Sequence, residues 1–155
     1  EYLQSISAVN LESSEQDAIL KNARVLVAED NLVNQQVVRG VLKKKAMKVT
    51  VVNNGLEAIA AIHNSKEHFD LILMDLEMPE MDGIGATQAI RAGERAPNIP
   101  IVALTAQAMR GDRERCIAAG MNAYLSKPIN PELLYKTLVE QLREQSIENG
   151  HENSH

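Results

Sequence analysis

The sequence predicts an α/β fold: a doubly wound, five-stranded parallel sheet with helices on both faces. Three observations carry this reading. Short apolar runs alternate five times with segments of helical periodicity, joined by brief loops. The runs Val25-Leu26-Val27-Ala28, Leu71-Ile72-Leu73-Met74 and Ile101-Val102-Ala103-Leu104 are nearly unbroken in apolar residues, as expected of strands covered on both sides. Polar, chemistry-bearing residues follow the ends of these runs, and right-handed crossovers would gather all those ends along one edge of the sheet.

The elements follow in order. A first strand is expected over Arg24–Ala28, then a helix from about Leu32 to Lys45 whose Val33, Val37, Val38, Val41 and Leu42 form one apolar face. The second strand is Lys48–Val52. A second helix follows Asn53-Asn54-Gly55 and runs to about His63. The third strand is Asp70–Met74, and the third helix begins near Gly83 and ends before Pro97. The fourth strand is Ile101–Leu104, with a helix from about Ala108 to Ala119 stopped by Gly120, a natural C′ residue. The fifth strand is Ala123–Ser126. The last helix is capped by Asn130 with Pro131 at its first position, and Leu134, Leu138 and Leu142 repeat every four residues. Residues 1–22 read as a polar linker with a little helix near Asp17–Leu20, residues 23–142 as the domain, and residues 143–155 as a polar tail.

Composition bounds the function. The chain of 155 residues is one domain in length, and its 45% hydrophobic content is enough for a core built from Val, Leu, Ile, Ala and Met, since aromatics make up 3%. No apolar run approaches the ~20 residues of a membrane span, and Glu1-Tyr2-Leu3-Gln4-Ser5 carries no signal-like stretch. Cys116 is the single cysteine, which excludes an internal disulfide and fits a reducing compartment. The net charge of −5 resides in the two ends, leaving residues 23–142 formally neutral. No basic field points to nucleic acid.

The candidate site is the expected edge itself. Glu29-Asp30 closes the first strand, Asp75 the third, Thr105 the fourth, and Lys127-Pro128 the fifth. Each residue alone has an ordinary structural explanation: a turn aspartate, a helix-capping acid, a strand threonine, a surface lysine. Together they have complementary chemistry. Three carboxylates this close repel unless a cation intervenes. Mg²⁺, which prefers hard oxygen ligands, is the expected cofactor. Asp75 would attack an incoming phosphoryl group, while Lys127 and the Thr105 hydroxyl meet its oxygens. His63, His68, His151 and His155 show no ligand spacing, and no glycine-rich ATP loop is present.

Four motifs resemble the receiver domain of two-component signalling. They are Val-Leu-Val-Ala-Glu-Asp-Asn at 25–31, Leu-Ile-Leu-Met-Asp-Leu-Glu-Met-Pro-Glu-Met-Asp-Gly at 71–83, Ala-Leu-Thr-Ala at 103–106 and Ala-Tyr-Leu-Ser-Lys-Pro at 123–128. The resemblance covers roughly Ala23 to Leu142. It implies a flavodoxin-like strand order of 2-1-3-4-5 with five helices. Asp75 is then the phosphoacceptor, with Asp30, Asp75, the Glu77 main-chain carbonyl and, through water, Glu29 holding Mg²⁺. Thr105 is implied as switch hydroxyl, Tyr124 as switch aromatic, Lys127 as phosphate-binding lysine, and the Lys127–Pro128 bond as cis. Glu77 and Gln107 should border the path of a hydrolytic water and tune dephosphorylation.

The Glu-Asp-Asn start, with Asn34 and Val37-Val38, is most similar to receivers attached to hybrid sensor histidine kinases. That setting implies a phosphohistidine-bearing helical domain as partner, no nucleic acid, no direct membrane contact, and a cytoplasmic location. A parent protein anchored in the inner membrane is compatible with it. A stand-alone single-domain response regulator remains an alternative. So does an aspartate-nucleophile phosphohydrolase of the haloacid-dehalogenase type, although that family wants an aspartate where this chain has Glu77. A third reading is a receiver serving only as an interaction module.

Overall fold

The computed structural model describes residues 12–64, 66, 68–106 and 110–153. Its elements are α1 (Ser13–Leu20), β1 (Arg24–Ala28), α2 (Leu32–Lys43), β2 (Lys48–Val52), α3 (Gly55–Asn64), β3 (Leu71–Asp75), α4 (Gly83–Ala92), β4 (Ile101–Thr105), α5 (Arg110–Ala119), β5 (Ala123–Ser126) and α6 (Pro131–Asn153). The five strands form one parallel sheet in the order β2-β1-β3-β4-β5, the order expected. The chain turns back between β1 and β3, which leaves a crevice beyond their C-terminal ends.

The strands alternate between two apolar layers because successive side chains point to opposite faces. Val25, Val27, Leu71, Leu73, Val102, Leu104 and Leu125 pack against Leu20 of α1, Val38 and Leu42 of α2, and Leu134 and Leu138 of α6. Leu26, Ala28, Ile72, Met74, Ile101 and Ala103 pack against Ala58 and Ile62 of α3, Ala86 and Ile90 of α4, and Cys116 of α5. Both faces of β1, β3 and β4 are therefore apolar, which explains their unbroken runs.

The N-terminal edge is locked by polar contacts. Arg91, at the end of α4, donates through Nε to the Gly120 carbonyl (2.9 Å), through Nη1 to the Pro97 and Ile99 carbonyls (2.9 and 2.6 Å), and through Nη2 to Asn122 Oδ1 (2.7 Å). Gly120 has φ of +106° and turns the chain directly over the Arg91 side chain, where a Cβ would lie 3.0 Å from Arg91 Cγ. The Asp70 carboxylate accepts from the Arg24 main-chain N–H at 2.8 Å. That tie sets Asp70 just outside β3, so the strand runs from Leu71 to Asp75 and not from Asp70 to Met74.

Several expectations need correction. The little helix expected near Asp17–Leu20 spans Ser13–Leu20 as a sixth helix, and Leu20 is wholly buried in the core. Asn22, with φ of +66°, turns the chain from α1 into β1 and donates its N–H to the Ala46 carbonyl at 2.8 Å. Lys45 pairs with Asp17 at 2.9 Å and lies over the Tyr135 ring. α2 ends at Lys43, two residues early, because Ala46 adopts φ of +61°. Its buried stripe is Gln35, Val38 and Leu42, while Val33 and Val37 are exposed. The polar segment 143–153 continues α6 as helix. The expected start of the fifth-strand-preceding helix at Ala108 lies outside the described residues.

Leu20 is the test of α1 as part of the domain. Leu20→Ala should lower the unfolding free energy by about 2–5 kcal/mol, read from urea denaturation. A loss below about 1 kcal/mol would show that α1 does not pack as described.

Candidate active site

The ends of β1, β3, β4 and β5 carry the candidate residues to one edge. Ala28 ends β1, so Glu29 and Asp30 emerge beside Asp75, the last residue of β3. Thr105 ends β4 opposite Ser126 of β5, and the Lys127 N–H donates to the Thr105 carbonyl at 2.7 Å. Glu29, Asp75 and Thr105 are buried, at 1%, 3% and 1% exposure, while Asp30 is exposed. The Lys127–Pro128 peptide is cis.

One lysine holds two of the carboxylates. Lys127 Nζ lies 2.7 Å from Glu29 Oε1 and 3.1 Å from Asp75 Oδ2. The remaining oxygens have backbone donors: Asn31 N–H to Glu29 Oε2 at 3.0 Å, and Glu77 N–H to Asp75 Oδ1 at 3.1 Å. Burial penalises the Lys127 ammonium, but the hydrogen bond to Glu29 and the charge of Asp75 outweigh it, and its pKa is raised. The lysine is therefore a fixed cation.

Carboxylate oxygens of Glu29, Asp30 and Asp75 lie within 4.8 Å of one another. Opposite ligands of an octahedral Mg²⁺ stand about 4.2 Å apart, at twice the usual Mg–O distance. Three hard oxygen donors in this span fit a Mg²⁺ ion. Three carboxylates against one ammonium also leave a local charge of −2, which a divalent cation balances. The turn after Asp75 is drawn tightly onto the site. Glu80 adopts φ of +65°, Asp82 caps α4 by accepting from the Gly85 N–H at 2.8 Å, and any Cβ on Gly83 would overlap the Asp75 carbonyl oxygen.

The other predicted residues are placed less centrally. Glu77 is exposed on the rim of a cleft also lined by Asp30, Met78, Pro79, Thr105, Asp112 and Arg115. Tyr124 is half-buried in a separate hollow with Cys116, Ile117 and Met121. Burial, with the charge of Asp112, raises its hydroxyl pKa. Gln107 lies outside the described residues. Sequence reasoning missed Gln35, which sits buried beneath Glu29. The signal available was a polar residue on the stripe 35, 38 and 42 of an otherwise apolar helix face.

Comparison with known proteins agrees with this geometry. The response regulator receiver domain family model matches residues 25–139. The chain is 43% identical over 124 residues to "Hybrid signal transduction histidine kinase I" of Dictyostelium discoideum, covering 77% of this chain but 7% of that protein. It is thus homologous to a small part of a much longer relative. The receiver domain of sensor histidine kinase PA1611 from Pseudomonas aeruginosa PAO1, crystallised with magnesium in its active-site cleft, superposes with a TM-score of 0.72 at 41% identity. That match covers 78% of this chain and 98% of the other. The receiver domain of yeast (Saccharomyces cerevisiae) Ssk1, solved with the histidine phosphotransfer protein Ypd1, gives a TM-score of 0.72 at 31% identity, covering 81% and 92%. A strand order of 2-1-3-4-5 ending in an acidic cluster and a lysine, matched along most of its length by these sequences and structures, makes this chain a member of the response regulator receiver domain family of two-component signalling.

Proposed function

We propose that Asp75 is the phosphoacceptor of this receiver, taking a phosphoryl group from a phosphohistidine on a helical partner domain. The observation that carries the reading is the double hold on Asp75. One oxygen is fixed by the Glu77 N–H and the other by Lys127, within a cluster of three carboxylates. In the transfer, an Asp75 oxygen forms a bond to phosphorus as the P–N bond to the partner's imidazole breaks. The bonding pair leaves on that nitrogen, which takes up a proton. Hydrolysis of the resulting acyl phosphate returns the carboxylate and inorganic phosphate.

Glu29, Asp30, Asp75 and the Glu77 main-chain carbonyl would hold Mg²⁺, which supplies neutralising charge for the phosphoryl oxygens. Lys127 supplies a second positive charge from the β5 side, already held beside Asp75 before the phosphoryl group arrives. Thr105, at the end of β4, would give its hydroxyl to a phosphoryl oxygen. Tyr124, one strand away, would turn inward as Thr105 moves, altering the surface of α5, β5 and α6.

The partner surface has support beside the site. Leu32 and Val33, at the start of α2, are 71% and 70% exposed, and Leu133 in the first turn of α6 is also exposed. These apolar side chains flank the carboxylate edge from two helices, where an apolar helix face could seat. The Ypd1–Ssk1 receiver complex is a precedent for a phosphotransfer protein docked on such a domain. Residues 23–142 act as the receiver module, and the parent is a hybrid sensor histidine kinase, as in the Dictyostelium relative. Among the described residues no helix is long and apolar enough to cross a membrane. The module is assigned to the cytoplasmic side of its parent. A stand-alone regulator would use the same site. Turnover as a phosphohydrolase is disfavoured by Glu77, which occupies the position where that chemistry wants an aspartate.

Incubation with a small acyl-phosphate donor and Mg²⁺ should add one phosphoryl group by intact-mass measurement. The gain should vanish in Asp75→Asn and without Mg²⁺. Equal modification of Asp75→Asn would overturn the assignment, and repeated turnover of a phosphate monoester would favour the hydrolase. Glu77→Ala combined with Gln107→Ala should change the first-order loss of the phosphoryl group at least severalfold. An unchanged decay rate would remove both residues from the path of the hydrolytic water.

A further inference from the structure

We infer that Gln35 is a positioning residue for the metal site: it fixes the peptide that carries the acidic pair, and so sets the affinity for Mg²⁺. The inference rests on the reading of Glu29, Asp30 and Asp75 as the metal-binding cluster. Gln35 lies at the first hydrogen-bonded turn of α2 and is 8% exposed. Its side-chain amide donates twice, to the Glu29 main-chain carbonyl at 2.6 Å and to Asn53 Oδ1 at 2.8 Å. The Glu29 N–H is held from the other side by the Val52 carbonyl at 3.1 Å. The main-chain groups of Glu29 are thus gripped at both ends, and its carbonyl belongs to the same rigid peptide plane as the Asp30 N–H.

The direction of this chain of hydrogen bonds is forced. A carbonyl only accepts, so Gln35 must present its amide nitrogen to Glu29. Asn53 must then present its oxygen to Gln35 and its nitrogen away from it. That nitrogen meets Glu57 Oε1 at 3.3 Å, and the Asn53 main-chain N–H reaches the same oxygen at 2.8 Å. Glu57 is itself tied into the first turn of α3, where its N–H donates to Asn54 Oδ1 at 2.8 Å. An ionised carboxylate at one end and a carbonyl at the other leave one arrangement.

The same segment touches the other half of the site. The Gly55 N–H donates to the Met81 carbonyl at 3.1 Å, and a Cβ on Gly55 would lie 2.6 Å from that oxygen. The loop Asn53-Asn54-Gly55 therefore ties the segment bearing Glu29 and Asp30 to the turn that follows Asp75. Mg²⁺ tolerates little distortion of its ligand geometry. Asp30 is exposed on a loop, and a misoriented Glu29–Asp30 peptide would displace its carboxylate. Groups that orient ligands from outside the coordination sphere commonly contribute an order of magnitude or more to metal affinity.

The test is Mg²⁺ binding to the unphosphorylated chain by isothermal titration calorimetry, at a temperature where circular dichroism shows each variant folded. Gln35→Met keeps the side chain's length and removes both donors. It should raise the Mg²⁺ dissociation constant about tenfold, whereas Gln36→Met, on the exposed side of α2, should leave it unchanged. Gln35→Glu discriminates further. A field effect alone would tighten Mg²⁺ through the added negative charge, while loss of the donor to Glu29 should weaken it. A dissociation constant within about twofold of wild type in Gln35→Met, with only the melting temperature lowered, overturns the inference and leaves the metal reading standing. Wild type that fails to bind Mg²⁺ overturns both. Should Gln35→Met not fold, Gln35→Glu decides alone: a Mg²⁺ dissociation constant equal to or below that of wild type in that variant would overturn the inference equally.

Discussion

The structure turns on the charge balance around Glu29. A carboxylate with 1% exposure is tolerable only when something replaces the water it has lost. Lys127 supplies the counter-charge at 2.7 Å, and the Asn31 N–H supplies the second hydrogen bond. Such a pair contributes little net stability, but breaking it strands a buried charge at a cost of about 3–5 kcal/mol. The sheet order meets the same need. β1 and β3 must be neighbours for Glu29, Asp30 and Asp75 to meet, and β5 must end near them for Lys127 to reach across. A single ammonium leaves the cluster two charges short of neutrality. The fold therefore carries a standing demand for a divalent cation at the point where a phosphoryl group would arrive.

The opposite edge of the sheet has a different character. There Arg91 binds three carbonyls and the Asn122 side chain, Asp70 holds the start of β1, and Leu20 fills the core beneath α6. These contacts satisfy backbone carbonyls and N–H groups, a side-chain amide and buried apolar surface, and they gather no cluster of like charges. Placing the charge conflict at one end and the structural ties at the other lets the loops near Asp75 rearrange without loosening the strands.

How far the sequence alone reaches depends on the range of the forces involved. The strands were legible because β1, β3 and β4 are apolar on both faces, a local property. The meeting of Glu29, Asp30, Asp75 and Lys127 was legible because they stand at strand ends, where topology brings them together. α1 was not legible as part of the domain: Ser13–Leu20 has weak amphipathic character, and it is held by Leu20 in the core and by the Asp17–Lys45 pair, both tertiary. The face of α2 was misread for a related reason. Val33 and Val37 look like core by composition, but the sheet takes the stripe of Gln35, Val38 and Leu42, leaving those valines outward. A glutamine within a buried stripe is a conflict between polarity and position, and here that conflict lies directly beneath the acidic loop.

That placement also bears on how phosphorylation would be sensed. Thr105 and Lys127 are joined through backbone, the Lys127 N–H donating to the Thr105 carbonyl at 2.7 Å. A phosphoryl group on Asp75 would draw the Lys127 ammonium from its bridge between Glu29 and Asp75 toward the new oxygens. It would draw the Thr105 hydroxyl in the same direction. The two responses are not independent, because both residues close the β4–β5 pair, with Thr105 opposite Ser126 and Ala103 opposite Tyr124. A displacement of the strand ends is thus delivered to β5, two residues from the aromatic ring that borders α5. Glu29, relieved of Lys127, would be left buried and negative unless a cation stayed at the cluster. Under the proposed reading, Glu29, Asp30 and Asp75 would hold a Mg²⁺ ion whose charge would offset the burial of Glu29 once the lysine turns toward the phosphoryl oxygens.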